Sequence, residues 1–215
     1  MNVSPAKENI LKRIRKALSS PTPLPFPQSE GSQSVVEIQS DDLAVEFAQR
    51  FAALQGKFVF CSDEKDCSIQ LKGLFESRSW GRVVCRDASL QNLIKQELSA
   101  LSLYEDLASC HVSVTGCESL ISRTGSVVLS SADAGGRTTS VYAPVHICIA
   151  FSEQLVYDIK DALQRMKERY GNNMPSMISF ATGPSRTADI EKTLVVGVHG
   201  PGEVFVFLID KQSAI

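Results

Sequence analysis

Two apolar rhythms alternate along the chain, one repeating every three to four residues and one running through short uninterrupted stretches. Ser4 to Leu18 reads as a helix, with Ser4 as cap, Pro5 in the first turn and apolar residues at Ile10, Leu11, Ile14 and Leu18. Pro21 to Pro27 holds four prolines and cannot continue it, so an extended spacer is expected before a main domain that begins near Ser32. Leu43, Phe47, Phe51 and Leu54 then form an apolar stripe behind Asp41 and Asp42, followed by a strand over Lys57 to Cys61. A helix over Lys65 to Ser77, a strand at Arg82 to Cys85 and a helix over Ser89 to Leu98 continue the alternation. Strands alternating with helices predict crossover units: an α/β fold with a mostly parallel central sheet flanked by helices.

The middle of the chain differs. His111 to Thr115, Ser119 to Ile121 and Ser126 to Ser130 are strand-like with brief interruptions, which suits a hairpin or meander. After a polar loop through Ser140 comes an apolar strand from Val145 to Ala150. The clearest helical repeat spans Ser152 to Tyr170, with Leu155, Ile159, Ala162, Leu163 and Met166 on one face and Gly171 as its stop. Strands are expected at Met177 to Ala181, Leu194 to Val198 and Val204 to Ile209.

Charge and composition narrow the function. A formal net charge of -2 over 215 residues provides no basic field for nucleic acid. No apolar run reaches the roughly 18 to 20 residues that span a bilayer, so a soluble, cytoplasmic protein without a transmembrane segment is expected. Lys7, Lys12, Arg13, Arg15 and Lys16 make one side of the first helix basic, which reads as a solvated face or as docking equipment for an acidic partner or membrane surface. The six cysteines contain no Cys-x-x-Cys pair, and several lie in apolar runs. They are expected to be free thiols in a reducing compartment, with no metal held by this chain.

The chemistry concentrates in Ser179 to Glu191 and in Gly197 to Pro201. Gly183 permits a tight backbone turn and Pro184 sets the next φ. The hydroxyls of Thr182, Ser185 and Thr187, local amides and the Arg186 guanidinium could converge on an anion. Asp189 and Glu191 sit where a short helix could begin; equally, Arg186 could pair with Asp189 and simply pin the loop. His199, beside Gly200, suits an acid, a base, a carboxylate anchor or a structural turn. Gly136 and Arg137 offer amides and charge in a third loop, or a flexible turn. His111 and His146 read as satisfied sheet or core histidines. Ligands in such folds bind at the carboxyl ends of the strands, where these three loops would meet. No Gly-x-Gly-x-x-Gly, phosphate-loop lysine or Gly-x-Ser-x-Gly motif is present.

The string Thr182 to Glu191 with Gly197 to Pro201 resembles the signature of the LUD-domain family, specifically its lactate-utilisation protein C type. The likeness extends less sharply back to Gly116, through Thr124 to Leu129 and Pro144 to Ile147. It implies a fold like the NagB/RpiA/CoA-transferase group and a place in a three-component system that oxidises L-lactate to pyruvate. In such a system the partner subunits carry the iron–sulfur clusters and this chain carries none, which leaves a cluster-free subunit holding a small organic anion. The other reading is an independent enzyme acting on a carboxylate, phosphosugar or CoA ester; a regulatory module is a third. Where family members commonly carry a glutamate before the Thr-Gly pair, this chain has Arg123, which puts covalent carboxylate catalysis in doubt and would suit an anion.

Overall fold

The computed structural model describes residues 5–19, 42–98, 101, 103–190 and 193–211. By contacts the chain divides into two units, Met1–Gln39 and Ser40–Ile215. In the first, α1 covers Pro5–Leu18, with its glutamate in the first turn and Arg15 and Lys16 in the last, as a helix dipole favours. Ser4, the proline spacer and the expected domain start near Ser32 lie outside the described residues.

The second unit is built on five parallel strands in the order β1 (Lys57–Cys61), β11 (Glu203–Ile209), β6 (Val145–Phe151), β3 (Val112–Thr115), β2 (Val83–Cys85). Both faces are covered, so the inner strands read as unbroken apolar runs. Side chains alternate between those faces. Val145, Ile147, Ile149, Phe205, Phe207 and Ile209 pack with α3 (Glu64–Arg78) and α4 (Ala88–Glu97). Cys148, Ala150, Val204, Val206 and Leu208 turn the other way.

That other face is covered mainly by a second sheet. Its order is β7 (Leu155–Val156), β4 (Ser119–Ile121), β5 (Ser126–Ser130), β8 (Ile178–Ala181), with β4 and β5 forming the expected hairpin. Beside it packs α2 (Leu43–Ala53), capped by Asp42, whose Phe47 and Phe51 are wholly buried. The outer side of the second sheet carries α6 (Ile159–Tyr170) through Ala162 and Met166.

Two expectations fail here for the same reason, competition from strand pairing. The helix expected over Ser152 to Tyr170 starts only at Ile159. Before it, a 3-10 turn at Ser152–Gln154 leads into β7, which pairs in parallel with β4, and Asp158 caps the helix. Likewise Asp189 does not open a helix: Arg186–Ile190 is a strand, β9, paired antiparallel with β10 (Thr193–Val196). Between β5 and β6 the loop contains a single helical turn, α5 (Thr139–Tyr142).

Among the described residues no helix is long and apolar enough to cross a membrane. All six cysteines are free and buried. Burial raises the Cys85 thiol to about 11, and a thiol partner together with burial pushes Cys67 and Cys117 up as well, so these sulfurs stay protonated.

Candidate functional site

The loop after β8 and the segment before β11 meet, as expected. The Ser185 amide donates to the Pro201 carbonyl at 2.9 Å, and the Gly197 amide donates to the Ser185 carbonyl at 3.0 Å. The Gly200 backbone passes so close that a Cβ there would lie 2.9 Å from that of Ser185. Gly183 adopts φ 86° because its turn lies flat against the end of α2: an added Cβ would sit 2.6 Å from the Leu54 carbonyl oxygen.

Between these segments and the two sheets lies a cavity of about 310 Å³. Thr182, Gly183, Ser185, His199 and Gly200, five of the residues singled out in the sequence, line it. Ser140 and Val141 of α5 close one side, and an adjoining hollow of about 480 Å³ shares Val141, His199 and Gly200 with it. The Thr182 hydroxyl is tied to Ser126 at 2.9 Å, and Ser126 accepts from Thr124 at 2.8 Å.

The position of this site corrects the expectation that ligand loops gather at the carboxyl ends of the parallel strands. The cavity sits at the amino ends of β6 and β11, because its loops belong to the second sheet or precede a strand of the first.

The two arginines of the expected set are elsewhere. In the antiparallel β5–β8 pair Ser130 lies opposite Ile178 and Val127 opposite Ala181, so the loop after β5 and the loop after β8 leave at opposite ends. Gly136 and Arg137 are therefore outside the lining, and the Arg137 guanidinium donates to Ser176. Arg186 is exposed, and its guanidinium donates to the Leu54 carbonyl at 2.7 Å and to the Gln55 side chain at 3.3 Å. It caps the carbonyl end of α2 and pins the loop. Thr187 is half-buried in β9, opposite Val195, and the side chain of Asp189 lies outside the described residues. Arg123 is also engaged, donating to Asp158 at 2.6 Å.

His146, read from the sequence as a satisfied sheet or core histidine, is one, and it also reaches the site. This histidine is 1% exposed yet lines the cavity, on the face of β6 turned to the second sheet. Burial alone lowers its pKa to about 4, so the ring is neutral near pH 7. Its Nε2 lies 2.8 Å from the Thr115 hydroxyl, which also reaches the Gly116 carbonyl at 2.9 Å. One hydroxyl carries one proton, so donation to Gly116 makes Nε2 a donor and leaves Nδ1 as acceptor; donation to Nε2 reverses the ring. Beside it, Ser113 pairs with His146 in register, and among the described residues its buried Oγ has no hydrogen-bond partner. The available signal was a histidine in an otherwise apolar strand covered on both faces, where a polar ring must find a polar surrounding.

Among the described residues the lining combines apolar side chains such as Leu129, Val141, Phe180 and Val204 with hydroxyls, loop backbone and two histidines, and holds no arginine or lysine. Residues 44–209 match the LUD domain. The chain belongs to the LUD domain family. Over 93 residues this LUD protein is 40% identical to lactate utilization protein C of Geobacillus sp. (strain WCH70), covering 42% of this chain and 39% of that one. It is 36% identical over 104 residues to lactate utilization protein C of Bacillus subtilis (strain 168), covering 47% and 43%. An uncharacterised protein of Neisseria meningitidis serogroup B is 35% identical over 95 residues, 44% of this chain and 40% of that one. The matched stretches span less than half the length of these curated relatives. Among solved structures, a DUF162 family protein from Deinococcus radiodurans shares the fold, with a TM-score of 0.58 and 16% identity over 78% of this chain and 96% of that one.

Proposed function

We propose that this LUD protein serves in lactate utilisation as a subunit without clusters of its own, and that it holds a small organic monoanion in the cavity between Thr182–Ser185 and His199–Gly200. The relatives named lactate utilization protein C support the first part. Iron–sulfur subunits that perform the oxidation would be its partners.

The observation that carries the second part is the lining itself. A carboxylate needs few fixed donors, and hydroxyls and amides with a neutral imidazole supply them at little desolvation cost. A dianionic phosphate or CoA ester would meet no compensating guanidinium, since Arg137 and Arg186 are committed elsewhere. This favours a hydroxy or oxo acid over the reading as an enzyme of phosphosugars or CoA esters.

Calorimetric titration of the full chain with L-lactate and pyruvate tests it, beside Ser185→Ala and Thr182→Val. Saturable binding that weakens at least about tenfold in either variant fits the loss of a charge-assisted hydrogen bond. Absence of binding, or binding indifferent to both substitutions, removes the cavity from the account. Co-purification of iron–sulfur proteins with the tagged chain tests the partner assignment separately.

A further inference from the structure

Among the described residues no arginine or lysine lines the cavity above, whereas both border the molecule's other hollows. Arg165 and Lys211 border two of them and are engaged, donating to the carbonyl and carboxylate of Glu153. Arg86 and Lys95 border a third, a groove of about 860 Å³, and among the described residues neither has a hydrogen bond or an ion pair.

This groove lies along the outer edge of the central sheet. There β2 is the last strand, and its free backbone is already satisfied: the Tyr104 amide donates to Val83 at 2.7 Å, and the Gln91 side chain donates to Cys85 at 2.8 Å. Side chains therefore determine what the groove binds. Arg86 directly follows the carboxyl end of β2, the end at which open parallel sheets receive ligands, and Lys95 faces it from the last turn of α4. The same groove is lined by the half-buried Leu101 and Leu103 and by Tyr104, 38% exposed. The Tyr104 hydroxyl lies 3.2 Å from that of Ser109, whose own proton goes to Asp106 at 2.5 Å, so Tyr104 donates to Ser109 and the contact orients the ring. Glu105 adds an acceptor at the same wall.

We propose that this groove is a second binding site, for a nucleoside phosphate. Arg86 and Lys95 take the phosphate, Tyr104 and the two leucines take the base, and Glu105 accepts from sugar hydroxyls. Glu105 also offsets part of the positive field, so neither phosphate nor nucleoside alone gains the full interaction. The site is independent of the organic-acid cavity and stands or falls apart from it.

Calorimetry of the full chain with ADP, inorganic phosphate and adenosine tests this. ADP binds at one site per chain and more tightly than either fragment. Replacing both cations (R86A with K95A) weakens ADP at least about tenfold, as expected for loss of charge-assisted bonds. Y104A weakens it by about tenfold through lost stacking. S185A, in the other cavity, leaves it unchanged. Arg86 and Lys95 are exposed, so the double variant keeps the wild-type urea midpoint; Lys95→Gln alone gives the same direction of change. No ADP binding, equal binding by the double variant, or a fragment binding as tightly as ADP overturns the proposal.

Discussion

The His146 ring reaches Thr115 diagonally across two parallel strands, at 2.8 Å, although its register partner is Ser113. Thr115 ends β3 and His146 stands near the start of β6, so the contact joins the interior of the sheet to the mouth of the cavity. Neutral by burial, the imidazole offers a hydrogen bond and no charge. In the proposed function the ring would orient a hydroxyl or carbonyl beside a carboxylate held by the loop.

His146 also makes stability depend on pH. Its folded pKa of about 4 lies below the ordinary 6.5, so between these values the unfolded chain binds the extra proton. The native state therefore has its full contribution above about 6.5 and loses it as the pH falls toward 4, with a total on the order of 3 kcal/mol. Urea midpoints measured from pH 7.5 to 4.5 should fall, and His146→Gln should flatten the fall.

The turn at Gly183 and the Arg186 guanidinium converge on one carbonyl, that of Leu54. Gly183→Ala meets that oxygen with a Cβ and requires a positive φ, and should cost about 1–3 kcal/mol. Arg186→Ala removes two exposed bonds and should cost about 1 kcal/mol. Because Arg186 does not line the cavity, its loss should weaken organic-acid binding less than Ser185→Ala does, a comparison that calorimetry settles.

Much of the fold was legible because apolar runs and caps act locally. Asp42 and Gly171 bound their helices as read, and Lys57–Cys61 and Ser126–Ser130 emerge with the expected limits. Leu155 was misread because a helical repeat and a two-residue strand look alike until β4 is there to pair with. The loop glycines and hydroxyls of the site were also legible, since tight turns demand those residue types. The arginines were not, because whether a guanidinium greets a ligand or a neighbouring carbonyl depends on the end of α2, 132 positions away in the chain from Arg186.

At the turn between β4 and β5, Arg123 pairs with Asp158, the cap of α6, and holds that carboxylate below its usual range. Arg123→Ala should lower stability by about 1 kcal/mol near neutrality. Asp158's depressed pKa means this contribution is present above its ordinary value near 3.8 and disappears as the pH falls below it. Arg123→Glu should cost more, since it sets two carboxylates together. Denaturation of the three proteins at pH 7 and pH 3 checks both statements.

A buried carboxylate, Glu118, accepts from Ser130 and Tyr170, each at 2.6 Å, and from Arg169 at 3.1 Å. Tyr170→Phe leaves one oxygen short of a donor, and should destabilise by about 1.5–3 kcal/mol. Thermal unfolding measures it directly.

The central claim, a small-acid site floored by a neutral histidine, is tested most directly by observing the histidine rings by NMR while L-lactate or pyruvate is added at pH 7. The account predicts saturable shifts of the His146 and His199 rings and of the Thr182, Gly183 and Ser185 amides, with His146 remaining unprotonated throughout. Rings and amides that stay unmoved by either acid, or a His146 that is protonated at that pH, would contradict it.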